Sequence, residues 1–483
     1  MVDSPDAAPA VIPAAGSTPL NVELNALNTI PEGERRGRPA TLFWPWFGAN
    51  VSVLGLSYGS FLLGFGVSFW QATIVGLLGI VVSFLLCGFV SLAGKRGSAP
   101  TMVLSRAAFG IDGNRLSALL SWVLTVGWET ILVATAVLST GEVFRLLGWG
   151  GGTVTEVVAL VVVVVLVIAA GVYGFDLIMR LQVWITVITG ILTIVYFVLV
   201  LPHIDLRAVA ALPAGDAAAV IGGFVFMMTG FGLGWVNAAA DYSRYLPRRS
   251  SGPGIVFWTT FGGALAPAVL LLFGVLLAGS SQKLNAAVGA YSVGGLATIA
   301  PSWFLIPFLI VAVLGLIGGA ALDIYSSGLA LLSIGLRMPR YAAALVDGVV
   351  MTIGAVYIVF FAPSFFGAFE NFLITLGVPI AAWAGVMLAD ILLRRRDYSE
   401  TDLYEARGRY GRVNWLAIAL VVGGTAIGWG LVALSGVGWT GYLLGAAKKS
   451  WGGANLGVLA ALVIGFVGTL LNARRVRRQE RHG

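Results

Sequence analysis

The sequence predicts an all-α polytopic membrane protein with twelve transmembrane helices, arranged as a 5+5 inverted repeat followed by two C-terminal helices. Three observations predict it. The 483-residue chain is 58% hydrophobic and only 11% charged, whereas a soluble domain carries about 25% charged residues. Its basic residues are concentrated in alternate segments between apolar runs. Two of those runs, five apart, are interrupted by glycine and polar residues at a depth where hydrocarbon offers backbone groups no partner.

The apolar runs are long enough to cross ~30 Å of hydrocarbon. They fall near residues 42–66, 70–94, 117–142, 154–174, 181–201, 218–243, 255–279, 303–336, 341–362, 366–393, 414–435 and 454–472. The eighth is too long for one straight span, so it extends into the cytoplasm or begins after a surface segment at Pro301 and Pro307. Residues 1–41, rich in Ala, Pro and charge with no apolar stretch, predict a disordered cytoplasmic tail rather than a cleavable signal peptide. Residues 394–413 read as a cytoplasmic loop and 473–483 as a basic cytoplasmic tail.

Charge tests this topology. With the N-terminus inside, only Arg145, Arg207, Lys283, Lys448 and Lys449 of the 29 Lys and Arg residues fall outside. That asymmetry obeys the positive-inside rule and predicts both termini on the cytoplasmic side; the expected location is the plasma membrane. The net charge of +7 is therefore read as topological, not as a nucleic-acid surface.

The repeat follows from parity. Residues 42–201 and 218–393 each hold five spans, and five is odd, so the two sets have opposite orientation. Each opens with a broken helix: Trp46-Phe47-Gly48-Ala49-Asn50-Val51-Ser52 in the first span and Gly230-Phe231-Gly232-Leu233-Gly234-Trp235-Val236-Asn237 in the sixth. Paired breaks of this kind mark an inverted-repeat transporter whose site lies at the bilayer midplane.

Other chemistries lack their residues. Cys87 is the single cysteine, and His203 and His482 lie outside the apolar runs. No metal-ligand cluster, phosphate loop or nucleophile–histidine pair is present. The reading is accordingly of a non-enzyme with no cofactor, driven by an ion gradient or running downhill.

Ionisable groups inside a span are functional candidates by default. Glu129, in Gly127-Trp128-Glu129-Thr130, lies mid-way along the third span, and Asp323 lies in the eighth, with no Lys or Arg at comparable depth. Each is a candidate proton carrier; the competing reading is a carboxyl held neutral by a neighbouring hydroxyl. Glu142, Glu370, Asp241, Asp347 and Asp390 fall near span ends, where solvated or loop-pairing roles are expected. Trp128 and Trp235 each follow a glycine, and an indole face stacks a planar heterocycle with ~1–3 kcal/mol. Core packing is the competing reading for both, while Trp44, Trp46 and Trp303 read as interfacial belt residues. Asn50, Asn237 and Asn371 add amides near breaks or span ends, able to read both edges of a ring amide.

Several short motifs, in order, resemble the nucleobase:cation symporter-1 family, most closely its purine–cytosine permease branch. They are Ile30-Pro31 and Arg36-Gly37-Arg38-Pro39 leading into Leu42-Phe43-Trp44-Pro45-Trp46-Phe47-Gly48-Ala49-Asn50, then Ser105-Arg106-Ala107-Ala108-Phe109-Gly110 and Gly127-Trp128. Ala240-Asp241-Tyr242-Ser243-Arg244-Tyr245, Tyr325-Ser326-Ser327-Gly328-Leu329, Gly385-Val386-Met387-Leu388-Ala389-Asp390 and Arg409-Tyr410-Gly411 with Val413-Asn414-Trp415 follow. The resemblance covers roughly residues 30 to 475. It implies a leucine-transporter-like fold, alternating access, and a ring stacked between aromatics of helices three and six, here Trp128 and Trp235.

The chain also departs from that pattern. Relatives place Asn residues in helix eight where this chain has Gly318-Gly319-Ala320-Ala321-Leu322-Asp323. Sodium-coupled relatives ligate the ion with helix-eight hydroxyls, yet no Ser or Thr lies between Ser302 and Ser326. Proton coupling through Glu129 or Asp323 is therefore favoured over sodium. The expected function is a symporter importing a planar nucleobase such as a purine or cytosine. Trp128, Trp235, Glu129, Thr125, Asn50, Ser52, Gly234 and Asn237 form the expected substrate-binding set. The alternative is a sodium-coupled permease for allantoin, hydantoin or another pyrimidine-like heterocycle. A non-transporting nutrient receptor is the remote alternative, disfavoured by the short loops. The oligomeric state is left open.

Overall fold

The computed structural model describes residues 27–362 and 364–481. Among these residues the secondary structure is helical, with no strand. Among the described residues nine helices are long and apolar enough to cross a membrane: Phe69–Gly97, Asn114–Leu146, Thr153–Tyr173, Arg180–His203, Ala217–Ser243, Gly252–Ser280, Ser302–Ser333, Arg340–Phe360 and Phe365–Leu393. Two further pairs are bent spans: Pro39–Asn50 with Leu54–Leu63, at 65°, and Gly445–Ala454 with Leu456–Leu471, at 87°. A shorter apolar helix, Trp415–Gly430, completes the series. In chain order these match the twelve expected segments, and they are called spans one to twelve below.

Local sequence explains several boundaries. Ser68 accepts from the Gln71 backbone N–H while the Gln71 side chain accepts from the Ser68 N–H, a capping box that opens the second span. Asp216 caps the sixth span and Ser251 the seventh. The long eighth segment resolves into a 3-10 turn at Ser302–Phe304 and one continuous helix, Leu305–Ser333, so Pro307 sits harmlessly in its first turn. Helices Gln282–Tyr291 and Val293–Ala297, between spans seven and eight, were not legible because they are too short and too mixed to read as spans.

The most extensive packing joins span three to eight, ten to twelve, and two to seven. Small residues allow the closest approaches, since apolar lipid gives helices no hydrophobic reason to associate. A Cβ on Gly59 would lie 2.2 Å from the Gly274 carbonyl carbon, and one on Gly274 would lie 2.1 Å from the Leu56 oxygen. Spans one and seven therefore cross backbone to backbone.

One end of the bundle gathers the arginine-rich segments. Glu400, in the 394–413 loop, meets Arg35 at 2.8 Å and also pairs with Arg248. Arg96 donates to the Arg394 carbonyl at 2.8 Å, and Arg475 to the Tyr410 carbonyl at 3.0 Å. The N-terminal segment, the connections after spans two, six and ten, and the C-terminal helix Ala473–Arg481 thus share one face. That is the arrangement the charge asymmetry requires.

Several expectations need correction. Residues 27–41 do not behave as a loose tail. Ile30 is fully buried, its N–H donates to the Ser98 carbonyl at 2.8 Å, and the Arg36 N–H donates to the Tyr245 carbonyl at 2.8 Å. Residues 1–26 lie outside the described residues. Composition could not reveal this docking, because every partner is remote in sequence. Trp46 is no belt residue: it is 1% exposed and packs edge-on against Trp235 and Tyr242. Trp44 and Trp303 are exposed, at 46% and 66%, as a belt requires. Asp241, Asp347 and Asp390 are buried rather than solvated. Asp241 accepts from the Thr101 N–H and hydroxyl, each at 2.8 Å, and Asp390 pairs with Arg394 at 2.8 Å.

Candidate functional site

The site begins with two helices that cannot continue. In span one, the helix Phe43–Asn50 ends at Val51, whose φ of −81° and ψ of 58° leave the helical region, and resumes at Leu54. In span six, Ala217–Gly230 ends at Phe231, and the chain proceeds as Gly232–Trp235, a 3-10 turn at Val236–Ala238 and a last helix Ala239–Ser243.

Backbone freed by these breaks must be satisfied inside the protein. Side chains of neighbouring spans do so. The Tyr58 hydroxyl donates to the Gly230 carbonyl at 3.0 Å, and Ser83 Oγ accepts from the Gly232 N–H at 3.0 Å. Ser91 Oγ donates to the Ala239 carbonyl at 3.1 Å, and Thr101 Oγ1 accepts from the Ala240 N–H at 2.9 Å. In span one, Asn50 Nδ2 donates to the Trp46 carbonyl at 2.8 Å.

Between the two breaks lies a cavity of about 40 Å³. Its wall includes Asn50, Ser52, Tyr58, Trp128, Trp235 and Asp323. At ~10–15 Å³ per water, this volume holds roughly three waters. Four aromatic rings line it, those of Tyr58, Trp128, Phe231 and Trp235; the Tyr58 ring lies 4.5 Å from Phe231, and Trp46 backs Trp235 at 5.9 Å. Asp323 is the only carboxyl among the lining residues, 1% exposed, and neither of its oxygens accepts a hydrogen bond from any described residue. Gly315 brings span eight onto the first break, where a Cβ would lie 3.1 Å from Ser52 Cα.

Five of the expected residues therefore meet at one cavity: Asn50, Ser52, Trp128, Trp235 and Asp323. The others do not reach it. Gly234 lies behind the wall, where its Cβ would stand 2.8 Å from Trp128 Nε1, so this glycine admits an indole rather than a ligand. Thr125 Oγ1 donates back to the Ser121 carbonyl of its own helix at 2.9 Å. Asn237 Nδ2 donates to Ser121 Oγ at 2.8 Å, so this amide ties span six to span three. Asn371 donates to the Ser435 carbonyl in a surface contact. Glu129 is fully buried outside the cavity wall, and neither of its oxygens accepts a hydrogen bond from a described residue. None of these lines the cavity, a distinction that depth alone could not make.

Sequence reasoning missed Tyr58, Leu132, Phe231 and Gly315. Tyr58 carried a signal, since it stands between Gly55 and Gly59 in the segment that follows the first break. Leu132 carried none, being an ordinary apolar helix residue, and Gly315 only that of a glycine-rich stretch, Gly315-Leu316-Ile317-Gly318-Gly319, which marks helix packing at least as often as a binding loop.

Known proteins share both sequence and shape with this chain. A family model described as permease for cytosine/purines, uracil, thiamine, allantoin matches residues 29–457. The cytosine permease of Escherichia coli K12 is 27% identical over 402 residues, covering 79% of this chain and 81% of that protein. YxlA of Bacillus subtilis, assigned as a purine-cytosine permease, is 24% identical over 461 residues, covering 92% and 94%. Among solved structures, the nucleobase-cation-symport-1 transporter Mhp1 in a closed conformation with bromovinylhydantoin bound superposes with a TM-score of 0.71. It is 19% identical and covers 96% of this chain and 97% of that one, while the inward-facing conformation of Mhp1 superposes at 0.66. At these identities the structures establish the fold, and the matched region establishes the family. With two broken spans enclosing a cavity and a family match over nearly its whole length, this multi-pass membrane protein belongs to the permeases for cytosine and purines, uracil, thiamine and allantoin.

Proposed function

We propose that this chain imports a planar nucleobase, a purine or cytosine, by proton symport, in a plasma membrane with both termini cytoplasmic. One observation carries the reading: the cavity between the breaks joins the indoles of Trp128 and Trp235 to a single carboxyl, Asp323. A nucleobase presents a flat face for stacking and N–H donors on its edge, and a carboxyl free to accept matches those donors. The family membership and the permease relatives support a nucleobase-like substrate.

The cavity is too small for such a ring as it stands. Binding requires the wall to open and reclose, which the bent first span and the interrupted sixth permit through hinge motion. Proton coupling is supported by the unpartnered carboxyls of Asp323 and Glu129 and by the lack of Ser or Thr between Ser302 and Ser326.

A specific observation favours a second reading, sodium coupling. Gln182 Oε1 and Thr186 Oγ1 on span five are buried, accept no hydrogen bond from a described residue, and lie 2.7 and 2.9 Å from a Cβ position on Gly48. Oxygens converging beside the first break suit a hard cation. Uptake of labelled adenine, guanine, hypoxanthine, cytosine, uracil and allantoin, with and without an uncoupler at matched sodium, separates the two. Accumulation that collapses with the uncoupler supports proton symport. Accumulation that follows sodium and ignores the uncoupler overturns it.

A further inference from the structure

Asp347 on span nine was expected near a solvated end, but it is fully buried and bound on both oxygens. Trp122 Nε1 of span three donates to Oδ1 at 2.6 Å, and Ser327 Oγ of span eight donates to Oδ2 at 2.8 Å. Ser327 lies one helical turn from Asp323, which lines the cavity. Glu129 lies about two helical turns from Trp122, on the side of span three that meets Asp347, and its two buried oxygens accept no hydrogen bond from a described residue. Three carboxyls from three helices thus form one buried group that begins at the cavity wall.

Arg244 donates to the Tyr325 hydroxyl at 2.8 Å, and Arg340 lies 4.8 Å over the Tyr325 ring while donating to the Gly171 carbonyl at 3.0 Å. Tyr242, from span six, also reaches this stretch of span eight: its hydroxyl donates to the Leu322 carbonyl at 3.1 Å, lies 3.3 Å from Ser326 Oγ, and its ring lies 6.3 Å from that of Tyr325.

The group also has a direction. Span eight runs from Asp323 through Ser327 to Ser333, and span nine begins at Arg340, so Ser327 and Asp347 lie nearer the arginine-rich face than Asp323 does. At 1.5 Å rise per residue, Asp347 is ~10 Å inside its helix start. Chains of intramembrane carboxyls of this kind carry protons in pumps and transporters.

We propose that Asp323, Glu129, Ser327 and Asp347 form a proton relay, in which Asp347 is the station that releases the proton toward the arginine-rich face. This rests on the proton-symport reading. The proton binds Asp323 on the cavity side, passes to Glu129, then to Asp347 with the Ser327 hydroxyl as the bridge. Only O–H bonds form and break, and each carboxyl returns to its starting state. Asp347 touches no substrate position, so it sets coupling and not affinity.

The test uses the full chain reconstituted in liposomes, with labelled cytosine, adenine or hypoxanthine as selected by the uptake panel. Three quantities are read: counterflow exchange of the base, accumulation driven by an imposed pH gradient, and substrate-dependent pH change inside the vesicle. Asp347→Asn is expected to keep counterflow within about twofold while gradient-driven accumulation falls about tenfold or more and the pH change is lost. Asp347→Glu is expected to restore both. If Asp347→Asn does not reach the membrane, Ser327→Ala is read instead and is expected to slow proton movement with counterflow kept. A variant that moves protons like the wild type overturns the relay alone. A wild-type protein that concentrates base with no proton movement overturns the symport reading as well.

Discussion

Gly234→Ala is the sharpest perturbation of the site, because it adds one methyl group that touches the stacking indole and not the cavity. The new Cβ would lie 2.8 Å from Trp128 Nε1, 3.3 Å from Trp128 Cε2 and 3.1 Å from the Thr229 carbonyl oxygen. Carbon contacts are optimal near ~3.5–4.0 Å, so the indole must retreat by roughly 0.7 Å. It has little freedom to do so, since Phe369 and Phe372 pack edge-on against it at 5.7 and 5.8 Å. The backbone of Gly234 does not require glycine, because its φ is not positive. On backbone entropy alone alanine would stabilise by ~0.4–1 kcal/mol. Overpacking of this kind costs ~1–3 kcal/mol. Where that cost is taken from the stacking contact of the displaced indole, it corresponds to about 5- to 140-fold weaker binding, at ~1.4 kcal/mol per tenfold. The assay is equilibrium binding of the transported base to purified protein, run as a cycle with Trp128→Ala. In the Trp128→Ala background, Gly234→Ala should lose most of its effect, leaving only the Thr229 contact. Equal losses in both backgrounds would refute the assignment of Gly234 to the indole, and unchanged affinity in every variant would remove Trp128 from the site.

Other outcomes follow from the same geometry. Glu129→Gln should abolish accumulation against a gradient, and Asp323→Asn should also weaken binding, because only Asp323 lines the cavity; if both variants still concentrate substrate, the proton assignment fails. Gln182→Leu with Thr186→Val should leave uptake unchanged if protons drive it, whereas loss of sodium-stimulated uptake would select the second reading. Asp390→Ala leaves the buried Arg394 guanidinium without its 2.8 Å partner and should destabilise by ~3–5 kcal/mol, read as a lowered thermal midpoint in detergent. Glu400→Gln weakens the contacts to Arg35 and Arg248; Glu400 and Arg248 are partly exposed and the Arg35 side chain, 5% exposed, keeps its donation to the Ile30 carbonyl, so the midpoint should change little, by ~1 kcal/mol.

Much of the architecture was legible because the bilayer imposes it. Span length, the charge asymmetry and the two breaks each answer to a constraint that acts on consecutive residues: hydrocarbon thickness, the sidedness of basic loops, and the cost of unsatisfied backbone. The candidate site was legible only in depth. Trp128, Trp235, Asn50 and Asp323 were picked out for lying mid-span or at a break, and the structure brings them to one cavity. Thr125, Asn237 and Glu129 met the same criteria and face elsewhere, because one residue along a helix turns a side chain by about 100°. Asp347 was discounted for its nearness to a span end, although two donors from two other helices bury it.

The sequence by itself determined that this chain spans a membrane, how many times it crosses, where two helices must break and which residues lie deep. Those properties are one-dimensional: they depend on runs, periods and charges along the chain. The tertiary structure alone decided which deep residues meet. It set Trp46 behind Trp235, Gly234 against Trp128, and Glu129 beside Asp347 instead of in the cavity. It also docked residues 27–41 onto the arginine-rich face. Each of these contacts joins residues tens to hundreds of positions apart, and it is fixed by the rotation and crossing of packed helices, which no local pattern encodes.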